Sequence, residues 1–335
     1  MSTKVSSANT GETQARIADL TMMTVKPRSL WIDAWSRLVK NKASVAGMVI
    51  IIIFALMAIF ANVIVPHSPL EINAGKGYLP PAWIEVGPNG KPSDPSFPLG
   101  TDTLGRDTLS RSIYGARTSL VVGFLPTIII IIVGLVVGLV AGYQGGRIDN
   151  ILMRITDVVY AFPDLLFFII VMVTLRQTYI GKLLNGLFLL FSALSLVNWV
   201  GFARIVRGQV LSLKEKEFIE AARCIGATDS RIMFRHLLPN SLSPVIVLTA
   251  MTIPGMIITE ATLGYLGLGL IPSTNPKDFF ITSWGQLLLE GQTAINAQPW
   301  ILLTPAIMVS LVVLAFTFLG DGLRDALDPR LQGTQ

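Results

Sequence analysis

Asp102, Arg106, Asp107 and Arg111 crowd into one short stretch between the turn-permitting glycines Gly100 and Gly105 and the start of an apolar run. Carboxylates and guanidiniums so spaced can form charge-assisted pairs, so this group reads as a compact polar knot. It lacks the nucleophile and base that hydrolysis requires. Two other acids, Asp164 and Glu260, interrupt otherwise apolar stretches. An ionisable side chain there is costly; it either belongs to a pathway or gate or hydrogen-bonds a neighbouring helix, and both acids are expected to face the interior of a helix bundle. The pair Gly145-Gly146 and the run Leu263-Gly264-Tyr265-Leu266-Gly267-Leu268-Gly269 look superficially like phosphate or nucleotide loops. Neither has the Lys-Ser/Thr continuation or the strand-helix setting such loops need, so close helix packing is the better reading of the second and any ATP must bind another polypeptide.

The elements positioning these residues are membrane elements. Of 335 residues, 52% are hydrophobic and 14% charged, against roughly a quarter charged in soluble domains. The formal charge of +5 comes from 26 basic and 21 acidic residues, without the basic stripe interleaved with aromatics that would suit nucleic acid. Cys224 is alone, so an intrachain disulfide is excluded and a reduced thiol is expected. The first apolar run begins only after Lys42 and is too long for a cleavable signal core.

In chain order, residues 1–28 read as a disordered tail, and 29–42 as an amphipathic helix at the membrane interface, with Leu30, Ala34, Leu38, Trp31 and Trp35 apolar and Asp33, Arg37 and Lys40 turned away. A small core helix would show the same pattern. Residues 43–65 form a first span, followed by a Pro-rich loop, 66–117, and a core, 118–325. Further spans are expected within 118–146, at about 158–175, within 183–203, from Pro244 to Leu268 and within 291–320, with a tail at 326–335. Placing both termini in the cytoplasm puts 18 Lys/Arg inside and 8 outside, the orientation that the positive-inside rule favours. His67 and His236 then lie on opposite sides, so no metal site or His-based catalysis can use both. No internal repeat is apparent, which counts against carriers built from duplicated halves.

The loop 204–243, cytosolic in that orientation, holds a polar, charged stretch between two spans, Glu217 to Pro239. Phe218, Ala221, Ala222 and Ile225 recur at helical spacing, and Gly226 ends that helix. Thr228 or Asp229 caps a second one carrying Ile232, Met233 and Leu237, which Pro239 and Pro244 close. The expected form is an elbow projecting from the membrane.

Glu220-Ala221-Ala222, Gly226-Ala227 and the run His236-Leu237-Leu238-Pro239 together resemble the EAA loop of permease subunits in ATP-binding-cassette importers. In that family the loop is a coupling helix that docks into a groove of a separate ATPase. The resemblance therefore implies ATPase coupling for Glu220, Ala221, Ala222, Gly226, Ala227, Thr228, Asp229, Arg231 and Pro239. The family pattern prefers isoleucine where His236 stands, but Phe234 to Asn240 resembles the peptide and nickel branch. Residues 99–107 and 110–120, the turn Gly142-Tyr143-Gln144-Gly145-Gly146 with Asp149, the run 263–269, Trp284-Gly285 as an interfacial anchor, and the terminal Asp321 to Arg330 are also similar to that branch, and 99–120 to its C-type dipeptide and oligopeptide permeases.

The resemblance implies an all-α integral membrane protein with six transmembrane helices in the type I importer fold. It also implies a homologous second permease, two ATPase subunits, an extracytoplasmic solute-binding protein, and no catalysis or cofactor in this chain, ATP and Mg belonging to the partners. Cargo in that family is usually di- or oligopeptides, with nickel chelates and glutathione as minorities; peptide termini would find both charge signs in the knot. From another class, a self-contained ion-coupled carrier is suggested by an expected helix break at Pro254-Gly255 beside Glu260. A membrane-embedded hydrolase lacks any nucleophile-and-base pair.

Overall fold

A computed structural model describes residues 30–327; the expected tail 1–28 and the terminal Asp328, Pro329 and Arg330 lie outside the described residues. The longer helices are α1 (Leu30–Lys40), α2 (Lys42–Ile59), α3 (Thr108–Gln144), α4 (Gly146–Tyr160), α5 (Asp164–Leu175), α6 (Leu187–Leu213), α7 (Glu217–Cys224), α8 (Leu238–Tyr265), α9 (Trp284–Ala294) and α10 (Trp300–Leu327). Among the described residues, five continuous helical stretches are long and apolar enough to cross a membrane, and a sixth span results if the bent pair α4 and α5 is counted as one.

At the centre, α3 lies against α6. Gly134, Gly138 and Gly142 recur every four residues along α3 and leave room for Phe202, Val206 and Val210; a methyl at Gly138 would come within 2.7 Å of Val206 Cβ. Apolar burial hardly drives association between helices in lipid, so the stripe acts by letting backbones approach and side chains interdigitate. A second cluster joins α2, α3, α8, α9 and α10 through Phe54, Ile257, Trp284 and Phe316. Trp284 is fully buried, donates Nε1–H to the Ser112 carbonyl at 3.0 Å and meets Phe54 edge to face at 5.6 Å. It is a core residue and not the interfacial anchor expected from sequence. Gly285 next to it allows the close pass: a methyl at Gly264 would sit 2.6 Å from the Gly285 Cα.

Several expected boundaries move. The first span breaks at Phe60, and a single further turn covers Ala61–Ile64. The second begins ten residues before 118, because Asp107 caps α3 by accepting from the amides of Leu109 and Ser110. The resulting 37-residue helix is ~55 Å long, well beyond a ~30 Å bilayer core. The third is not one straight helix: α4 and α5 meet at 75° across Ala161–Pro163. By contrast α8 runs unbroken through Pro244 and Pro254, so the expected break beside Glu260 is absent.

The stripe of α1 divides. Ala34 and Leu38 are buried with Ala326 against α10, while Ile32 and Trp35 are exposed, so the helix is both docked and left with an apolar outer edge.

Candidate functional site

The elbow folds back on the bundle through a narrow stripe. Ile219 and Ala222 of α7, then Ile232 and Leu237, are buried in the α3 and α6 core, whereas Phe218, Ala221 and Ile225 face outward. The apolar face expected from spacing is thus rotated, and Ile225 is 86% exposed. The rotation follows from how α7 ends. The Ala227 amide donates to the Ala222 carbonyl (3.0 Å) and the Gly226 amide to that of Arg223 (3.0 Å), a Schellman closure with Gly226 at φ 79°. That closure turns Ala222 and Ala227 inward together and carries Ile225 out.

Thr228 is the second cap, its hydroxyl accepting from the Arg231 amide at 3.4 Å. Asp229 has another role: its Oδ1 accepts the Tyr143 hydroxyl at 2.6 Å. Arg223 lies 5.9 Å from the centroid of the same tyrosine ring, within cation–π range. The family-like Tyr143 turn is therefore fastened to the elbow. The expected stop at Pro239 does not occur. Met233–Leu237 form one π turn that runs directly into α8 with Pro239 in its first turn, where a proline's missing N–H is tolerated. Glu220, Arg231, Phe234 and Pro239 are exposed.

Behind the elbow, Arg207 of α6 holds both oxygens of Asp149 on α4 at 2.5 and 2.7 Å, and Arg204 reaches Asp157 at 2.7 Å. A cleft of about 560 Å³ between α6, α8 and α10 is lined by Gln209, Asn240, Ser243, Met251 and Arg324 among others.

At the opposite end, the polar knot forms with one member exchanged. Asp102 accepts from Arg106 Nε and Arg111 Nη1, both at 2.6 Å, and from the amides of Leu104 and Arg106. Asp107 is outside this group, being occupied as the cap of α3. Its place is taken by Glu290 of α9, which both Nη atoms of Arg111 grip and Arg106 Nη2 meets at 3.1 Å. Two anions and two cations therefore balance. Burial pushes the Glu290 carboxyl up, but the hydrogen bonds and charge of Arg111 and the charge of Arg106 outweigh it, and the net position is below the ordinary value. Sequence reasoning missed Glu290; it is the last acid before the apolar run 291–320, which was the available signal.

The two intramembrane acids differ from each other. Glu260 is fully buried and accepts from the Ser119 hydroxyl at 2.9 Å, and that hydroxyl in turn accepts from the Trp284 amide at 3.2 Å. It ties α8, α3 and α9. Asp164 does not face the interior: it is the exposed first residue of α5, because the bend at Ala161–Pro163 lifts it off the bundle.

Residues 134–333 match the model for the binding-protein-dependent transport system inner membrane component, and residues 29–81 that for the N-terminal TM domain of oligopeptide transport permease C. The chain belongs to the family of binding-protein-dependent transport inner-membrane components. Similar proteins include the oligopeptide transport system permease protein OppC of Bacillus subtilis, 38% identical over 95% of each chain. The dipeptide transport system permease protein DppC of the same organism is 41% identical over 90% of this chain and 86% of its own, and OppC of Escherichia coli K12 is 38% identical over 92% and 94%. Among solved structures, an inward-facing MetNI methionine ABC transporter chain superposes with a TM-score of 0.51 at 20% identity, covering 66% of this chain and 97% of that one. This family member is an all-α, multi-pass inner-membrane permease of the type I importer fold and not an enzyme. Membership sets aside the ion-coupled carrier and the hydrolase.

Proposed function

We propose that this permease forms half of the translocation path of an ATP-driven importer of di- and oligopeptides, and that the elbow couples it to a separate ATPase. Both termini and the elbow face the cytoplasm; the knot and the loop 66–107 face the outside, where a solute-binding protein delivers cargo. A homologous second permease completes the path, and ATP with Mg is held by two ATPase subunits. The peptide cargo is inferred from the names of the OppC and DppC relatives, and the amide, hydroxyl and guanidinium groups of the 560 Å³ cleft suit a peptide leaving on the cytoplasmic side.

One observation carries the coupling role. Phe218, Ile225 and Phe234 stand exposed on an elbow whose inner stripe is buried and whose turn is fastened to α3 by Asp229 and Tyr143. Apolar side chains displayed on an otherwise polar, firmly seated projection are what a groove on a partner would bury. Docked there, the elbow would pass the ATPase's movement to α3 through Asp229 and to α8 through the continuous π turn.

Cys224, exposed on α7 and the chain's one cysteine, provides the test. A membrane-impermeant maleimide should label it only after the membrane is permeabilised, and a photocrosslinker attached there should capture an ATP-hydrolysing subunit. Labelling in intact cells, or capture of the solute-binding protein, would overturn the assignment.

A further inference from the structure

Six residues beyond the knot on α3, Arg117 is a buried cation that no carboxylate approaches within 4 Å among the described residues. Its side chain is held by neutral acceptors, with Nε donating to the Ala58 carbonyl at 3.0 Å and Nη2 to Asn62 Oδ1 at 3.2 Å. The guanidinium also lies 4.5 Å from the centroid of Phe279. A guanidinium so buried ordinarily has an anion to balance it.

The space beside it suggests which anion. A cleft of about 390 Å³ opens there, and Arg117 is its one charged lining residue. Leu120, Val121 and Phe124 follow Arg117 down a single face of α3, with Ala58 of α2 opposite and Phe279 at the rim. Arg117 immediately precedes the charge-free stretch of α3, and Asn62, near the outer end of that of the first span, is its first polar side chain after Ser44. The cation is therefore at the level where hydrocarbon gives way to headgroups, and the apolar face descends ~10 Å from it into the hydrocarbon.

We propose that this cleft holds one phospholipid of the outer leaflet, its phosphodiester on the Arg117 guanidinium and an acyl chain laid along Leu120, Val121 and Phe124. The planar guanidinium matches phosphate oxygens, and a phosphate already resides at this depth. A carboxylate from a second subunit would have to be brought to the edge of the apolar slab at a desolvation cost. The lipid would fill the seam between α2 and the core, beside the Phe54 and Trp284 contact. The inference takes its leaflet from the orientation proposed above, but lipid retention is measured without transport or ATPase, so either reading can fail alone.

Native mass spectrometry of the full chain, purified in mild detergent and titrated with dioleoyl phosphatidylglycerol, tests it. The unaltered chain should retain one lipid. Arg117→Met should weaken retention about tenfold or more, the scale of losing a charged hydrogen bond. Val121→Trp, which leaves the bonds to Ala58 and Asn62 intact and fills the cleft, should weaken it comparably and carries the test if the first variant does not fold. Unchanged lipid binding in Val121→Trp would overturn the proposal. So would a photoreactive residue at Phe124, in the assembled complex in membranes, that cross-links a second permease subunit instead of lipid.

Discussion

The Tyr143 hydroxyl and the Asp229 carboxylate meet at 2.6 Å, joining the end of α3 to the turn of the elbow across 86 residues of sequence. If this bond carries motion, Tyr143→Phe should leave the chain inserted and lower the peptide transported per ATP hydrolysed a few-fold in proteoliposomes containing the full complex. A charge-assisted bond is worth about 1.5–3 kcal/mol when shielded, and the exposure of Asp229 reduces that. An unchanged ratio would remove the bond from the coupling route.

Gly226 isolates conformation from contact. A methyl there would meet nothing within 4 Å, yet φ is 79°, a region that costs other residues about 1–2 kcal/mol. Gly226→Val should therefore uncouple ATP hydrolysis from uptake by deforming the Schellman closure. Gly226→Asn, which tolerates this region better, should restore most of the coupling. Equal loss in both variants would point to lost docking contact and not backbone strain.

The knot should respond to mutation and to pH. Arg111→Met leaves Asp102 and Glu290 to share Arg106 alone, with one buried negative charge uncompensated, and should cost about 3 kcal/mol or more, seen as a lowered thermal transition of the purified chain. The Glu290 carboxyl is held below its ordinary value of 4.5, so its contribution is complete above that value and fades as pH falls through the lower, folded-state one. Glu290→Gln should accordingly be less stable than the unaltered chain at pH 7, with a gap that stays constant to about pH 5 and narrows below pH 4. A gap that widens on acidification would contradict the direction assigned to Glu290.

Glu260 is placed as an interhelical acceptor. Glu260→Gln retains an oxygen for Ser119 and should keep near-normal uptake, whereas Glu260→Ala should reduce the yield of folded chain. Loss of uptake in Glu260→Gln at an unchanged folded yield would return this residue to the transport path.

Much of the architecture was legible from local signals. Hydropathy located the apolar stretches, and Gly226 with Thr228 marked the elbow's turn, because cap and turn preferences are properties of a few adjacent residues. The stripe Gly134, Gly138, Gly142 could have been read as a packing face from its period alone. Errors arose where a short-range rule met a long-range partner. Asp107 looked like a knot member and is a cap. Trp284 looked like an interface residue and is core. Asp164 looked inward-facing, and a bend turned it out.

By itself the sequence determined that this chain is helical, membrane-spanning and bears an EAA-type elbow, since periodicity, apolar length and motif spacing are written along the chain. Only the tertiary structure decided that Arg111 answers to Glu290, 179 positions away, that Asp229 belongs to Tyr143, and that Ile225 faces out. Those outcomes depend on which helices lie side by side and how each is rotated, and helix rotation is set by packing against neighbours that no local window of sequence contains.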